Sequence, residues 1–139
     1  MLFRSLSNLR QGMVSIYLAQ AIAKGRIEVK GSLDRFRDFV YIDDVVEMWH
    51  RAATSPAIEG KSFNVGTGVR TTVGELLERI CSLVPGSSYR IQGTTPGDQS
   101  GIYADVTEVR QHLGMGACIP LETGLRTFVD WARAQSSVR

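Results

Sequence analysis

Arg37-Asp38-Phe39-Val40-Tyr41-Ile42-Asp43-Asp44-Val45 is the stretch around which this chain is organised. Phe36–Ile42 reads as a strand. Asp43 or Asp44 caps the helix behind it. The apolar stripe of that helix is Val45, Val46, Trp49, Ala52 and Ala53, spaced i, i+1, i+4, i+7 and i+8. Pro56 and Gly60 mark a loop, and Ser62–Val65 reads as a further short strand ending in Gly66-Thr67-Gly68.

Upstream of this stretch, Met13, Ile16, Tyr17 and Ala21 recur at helical spacing, and Gly25 closes that helix. Arg26–Lys30 alternates, with Ile27 and Val29 on one face, and reads as a strand. Downstream, Thr72 and Glu75 form a Thr-x-x-Glu capping box before Val73, Leu76, Leu77, Ile80 and Val84. Tyr89–Gln92 reads as a strand and Gly93–Gly101 as a loop. Asp105 and Glu108 read as a second capping box, opening a short helix that ends at Gly114. Pro120 suits the first turn of a last helix, whose stripe is Leu121, Leu125, Phe128, Val129 and Ala132.

Composition excludes several classes. With 139 residues there is room for one domain and one core. Sixteen basic residues face fourteen acidic ones, a balance of +2, and the cations are scattered. That argues against a nucleic-acid partner. No apolar run approaches a membrane span, and Met1-Leu2-Phe3-Arg4 lacks the features of a secretory signal. Cys81 and Cys118 have no zinc-ligand spacing, so no metal is expected. Cys81 falls on an apolar helix face and reads as a buried thiol. A reducing cytoplasm is the simplest compartment.

Two segments carry a likeness. Arg37–Val45, and Phe63-Asn64-Val65-Gly66-Thr67-Gly68, are similar to the second half of an NAD-dependent nucleotide-sugar epimerase or dehydratase. These are extended short-chain dehydrogenases, and the chain resembles the UDP-glucose 4-epimerases among them. The resemblance runs from about Leu9 to Ala134. It implies an α/β fold: the C-terminal substrate-binding lobe, five helices with four short strands, the N-terminal Rossmann half missing. It divides the chain into an irregular segment 1–11, a lobe 12–134 and a frayed end 135–139.

The resemblance also implies site residues. Arg37 would grip the diphosphate of a nucleoside diphosphate sugar, since a guanidinium donates two hydrogen bonds to one phosphate. Without the family, Arg37 reads as a surface cation solvated beside Asp34 or Asp38. Arg35 lies on the same strand face and would assist. Thr95-Pro96-Gly97-Asp98 is similar to the family's Arg-x-Gly-Asp loop, whose Asp accepts from ribose hydroxyls. Asp98 fills that place, while Thr95 stands where the family has a second phosphate-binding Arg. Asp98 reads equally as a turn residue. Gly12 and Met13 open a helix where backbone amides would face the phosphates. Glu28–Lys30, with Glu28 and Lys30 at its ends, would lie against the uracil edge.

The chemistry of such an enzyme needs more. Its base is a Tyr with a Lys four residues later. Tyr17, Tyr41, Tyr89 and Tyr103 are followed at that distance by Ala21, Val45, Gly93 and Thr107. Gly66-Thr67-Gly68 resembles an incomplete dinucleotide fingerprint, with Thr71 in place of the third glycine. It reads better as a turn out of a strand. The expectation is therefore a truncated gene product or isolated domain that is inactive alone, binds no cofactor itself and belongs with NAD in the intact enzyme. Three partners follow from this reading: a nucleoside diphosphate sugar bound weakly or not at all, a homodimer formed through an orphaned apolar face, or a complementing N-terminal half.

Overall fold

The structure is a computed structural model and describes residues 12–93 and 99–136. Residues 1–11, the loop 94–98 that carries Thr95 and Asp98, and residues 137–139 lie outside the described residues.

Helix α1 spans Met13–Lys24 and ends on Gly25, whose left-handed φ of 61° lets its N–H bond Ala21 O at 3.0 Å. Val14, Tyr17, Leu18 and Ala21 are buried at i, i+3, i+4 and i+7. Strand β1, Arg26–Val29, follows directly and buries Ile27 and Val29 completely. After a turn the chain enters β2, Phe36–Arg37, and then α2, Ile42–Thr54. A 3-10 turn covers Pro56–Ile58.

Strand β3, Thr71–Thr72, leads into α3, Val73–Leu83. The expected capping box is present there: Glu75 N–H donates to Thr72 Oγ1 at 3.1 Å, and Thr72 N–H donates to Glu75 Oε2 at 2.7 Å. Strand β4 is Ser88–Ile91, β5 is Gly101–Ile102, α4 is Thr107–Leu113 and α5 is Leu121–Ser136. Gly114 ends α4 in the left-handed conformation, as its position predicts.

Two small sheets result. In one, β1 pairs β4 in parallel, with Ile27 opposite Tyr89. The other has the order β3-β2-β5, antiparallel on one side and parallel on the other. α1, β1, α3 and α5 share one core that includes Leu18, Ile27, Leu76, Leu77, Ile80 and Leu125. A separate cluster joins Met48 of α2 to Val106, Val109, Leu113 and Met115 around α4. Among the described residues there are thus two apolar clusters where the length suggested one core.

The α/β class and the five helices agree with expectation. The strands differ in detail. The structure has five among the described residues, and two of them, β3 and β5, are two-residue elements the sequence pattern does not announce. Phe36–Ile42 is a strand only over Phe36–Arg37. Ser62–Val65 is not a strand; Phe63 and Val65 pack against the second cluster instead.

Three local expectations are also corrected. Tyr41, not Asp43 or Asp44, precedes the first turn of α2, and both carboxylates lie within that turn, where the helix dipole favours them. Asp105 and Glu108 make no capping box. Asp105 Oδ1 instead accepts from Thr107 N–H at 3.0 Å, in a tight side-chain turn before α4. Cys81 is half-buried, at the edge of the main core. No helix among the described residues is long and apolar enough to cross a membrane.

Candidate functional site

The β3-β2-β5 sheet positions the Arg37 motif. β2 is its middle strand, so Arg37 sits between Thr71 and Ile102. Its guanidinium is half-buried and Nη1 donates to Phe36 O at 2.7 Å. Phe36 N–H donates to Ser100 O at 3.0 Å. The chain leaving the 94–98 loop is therefore tied to the strand that carries Arg37.

The next residue does the joining. The Asp38 carboxylate collects four donors from two distant segments. Thr67 N–H reaches both oxygens at 2.9 and 3.0 Å, Thr67 Oγ1 donates at 2.5 Å, Gly68 N–H at 2.9 Å and Ala104 N–H at 3.2 Å. Burial raises the pKa of this carboxyl, but the hydrogen bonds from Thr67, Gly68 and Ala104 outweigh it and leave the pKa below its usual value. Asp38 thus binds the end of β2 to the Gly66–Gly68 turn and to the chain leaving β5. In the sequence it stands only as a neighbour of Arg37. No periodicity announces a contact across about thirty residues; the only hint is an acidic residue at a strand end and a Gly-Thr-Gly turn elsewhere.

Gly66 is required for this arrangement. A Cβ there would lie 2.6 Å from both Ala104 Cβ and Asp38 Oδ2. The same contacts decide whether the turn fits a dinucleotide. A cofactor cradle presents free backbone N–H groups at a helix start. Here the N–H groups of Thr67 and Gly68 are given to Asp38, and the next helix, α3, begins at Val73 with its own side-chain cap. This turn does not fit NAD. Among the described residues, no group of three or more His, Cys, Asp or Glu side chains gathers to hold a metal.

The other expected site residues fall into two places. Gly12, with φ 84°, precedes α1, and Ile16 N–H bonds its carbonyl at 3.1 Å. Val14, one residue past Met13, lines an apolar cleft of about 190 Å³ together with Asp38, Phe39, Tyr41, Leu121 and Phe128. The start of α1 and the motif around Asp38 therefore meet in one cleft. Glu28 and Lys30 belong to the other sheet or its end. Glu28 N–H donates to Gln20 Oε1 at 2.7 Å, and Glu28 Oε1 pairs with Arg90 at 3.3 Å. Arg35 does not extend along β2 beside Arg37. Its Nε donates to Ser32 O at 2.9 Å and its Nη2 to Lys30 O, which holds the turn between the two sheets. Asp98 lies outside the described residues.

The model of the NAD dependent epimerase/dehydratase family matches residues 5–66. A UDP-glucose 4-epimerase from Mycolicibacterium smegmatis is 34% identical over 127 residues, which is 90% of this chain and 40% of that protein. The crystal structure of a Thermotoga maritima UDP-glucose 4-epimerase with UDP-glucose superimposes with a TM-score of 0.81 at 28% identity, over 90% of this chain and 40% of that one. MoeE5, solved with UDP-glucuronic acid and NAD, gives 0.80 at 26% identity, over 90% and 42%. The chain spans about two fifths of the length of the relatives it matches. From its Arg37 motif, its fold and these likenesses, the chain is similar over most of its length to the C-terminal part of the NAD-dependent epimerases/dehydratases, extended short-chain dehydrogenases, and within them to the UDP-glucose 4-epimerases.

Proposed function

We propose that this chain is the nucleotide-sugar-binding portion of an NAD-dependent sugar epimerase or dehydratase. The observation that carries the reading is the fixing of Arg37. It sits on the middle strand of a three-stranded sheet, next to a carboxylate that ties that strand to the Gly66–Gly68 turn and to the chain leaving β5. A guanidinium held on rigid backbone is suited to a diphosphate, because less side-chain freedom is lost on binding. Two relatives solved with UDP-sugars support the ligand class.

The chain by itself is inactive in this reading. It has no Tyr followed four residues later by Lys, and the Gly66-Thr67-Gly68 turn spends its amides on Asp38. NAD, where the intact enzyme holds it, supplies hydride transfer, and this portion orients the sugar. Titration calorimetry with UDP is the test. Saturable heat is expected at millimolar ligand or below, and Arg37→Ala lowers affinity by about tenfold or more, the range for a charge-assisted contact. No heat at millimolar UDP overturns the reading.

A second reading has its own observation. Val46 and Trp49 on α2 are 57% and 73% exposed, so one apolar helix face is left open among the described residues. An interaction module would use that face to dimerise. Sedimentation equilibrium tests it, and a strict monomer at high micromolar concentration removes it.

A further inference from the structure

A separate cavity of about 340 Å³ lies between α3, α4 and the segment entering α5. Phe39, Thr67, Thr71, Arg79, Arg110 and Cys118 are among the residues lining it, and Arg37 is not. Its volume is near the lower end of small-molecule pockets, about 300–1,000 Å³. That suits one compact group better than a whole nucleotide sugar.

The cavity has donors without a protein partner among the described residues. Thr71 is only 7% exposed, and among the described residues its hydroxyl has no hydrogen-bond partner. No described side-chain polar atom sealed from solvent lacks a partner, so this hydroxyl retains some contact with solvent on a residue that lines the cavity. A hydroxyl so placed can donate to a polar occupant of that space. Arg79 from α3 and Arg110 from α4 reach the same cavity, and neither has a carboxylate at ion-pair distance among the described residues.

The nearby acids are already engaged. Glu75 acts on Arg79 at longer range, and its carboxylate is held by Thr72. Asp38 is filled by its four donors, and Asp44 accepts from Ile119 N–H at 3.0 Å. Thr67 Oγ1 is likewise used, donating to Asp38 and accepting from Val69 N–H. The negative charges around the cavity are satisfied locally and the positive ones are not. Cys118 adds no nucleophile: burial first, then Asp44 and Asp38, raise the pKa of its thiol against the opposing pull of Arg110.

We propose that this cavity is a phosphate-binding site in which Arg79, Arg110 and the Thr71 hydroxyl together hold one phosphate group. Two guanidinium groups supply charge that no working pH removes, and the hydroxyl supplies a fixed neutral donor. The phosphate is either free or part of a larger molecule, including the diphosphate of a nucleotide.

The test is titration of the full 139-residue chain with inorganic phosphate, followed by calorimetry and amide chemical shifts. Saturable binding at millimolar or tighter affinity is expected, with shifts at Thr71, Arg79 and Arg110. Arg110→Gln and Thr71→Val each weaken it by about tenfold, and Arg79→Gln with Arg110→Gln abolishes it. The two arginine positions are exposed, so those variants keep the fold even if Thr71→Val does not. UDP that displaces phosphate and is itself weakened by Arg110→Gln identifies the nucleotide's diphosphate as the source. UDP that leaves phosphate bound identifies free phosphate. Absence of saturation at tens of millimolar, or an arginine double variant that binds as well as wild type, overturns the proposal.

Discussion

Helices α2 and α3 are of similar length, thirteen and eleven residues, and both are amphipathic, yet they end in different situations. α3 buries Val73, Leu76, Leu77 and Ile80 to 1% exposure or less, against α1 and α5. α2 buries only Met48, and the Val46 and Trp49 side of its stripe faces solvent. An apolar stripe offers a contact; whether it is buried depends on a layer to receive it. α3 has that layer within the chain. α2 has it on one edge only, where Met48 and Ala52 lean on the α4 cluster.

That contrast can be broken first at its strong end. Leu77 is fully buried in the main core, so Leu77→Ala should destabilise the chain by about 3 kcal/mol through lost transfer and a residual cavity. Met48→Ala, in the smaller cluster, should cost about 1–2 kcal/mol, because a flexible residue in a thin layer allows partial collapse. Denaturant unfolding of the pair measures both; equal effects would mean that the two clusters are one.

A middle-sized effect is expected at the joint between the segments. Asp38→Asn keeps the shape, but it replaces an acceptor for four donors with a group that has one acceptor oxygen. A loss of about 1–3 kcal/mol follows. The sign of its pH dependence is fixed by the lowered carboxyl pKa. Wild type holds this stability above the ordinary carboxylate value, about 3.9, and loses it as pH falls through the lower folded value. The Asn variant lacks that particular loss, so the two stability curves converge in acid. Curves that stay parallel down to pH 2 would remove Asp38 from the account.

The smallest change is expected on the open face. Trp49→Ser should alter monomer stability by no more than about 0.5 kcal/mol, since the ring is exposed. Its effect should appear in self-association. A large loss of stability would show that the ring is covered in solution.

The same contrast explains what could be read in advance. The helices were legible because their signals are local: Gly25 and Gly114 at left-handed ends, the Thr72–Glu75 box, the Leu125–Ala132 stripe. Arg37 was legible as a motif through the family likeness. The grouping around Asp38 was not, because its partners are about thirty and sixty-six residues away and obey no spacing rule. β3 and β5 are too short to show alternation, and they exist only because β2 pairs them. Ser62–Val65 shows the opposite error. Its alternating pattern is real, but its apolar residues fill the second cluster and no ladder forms there among the described residues. The Thr71, Arg79 and Arg110 cavity was equally hidden, since three different elements supply it.

The pairing of β1 with β4 has a kinetic consequence. Glu28 and Arg90 face each other across that ladder from positions 62 residues apart. Everything between them, including α2 and α3, must emerge and be gathered in before the first of these parallel hydrogen bonds can close. Loop-closure entropy of that kind delays the reward until late. The chain should therefore collapse as helices first and zip its small parallel ribbon last, in milliseconds to seconds, with Ile27 and Val29 waiting unpaired until β4 arrives.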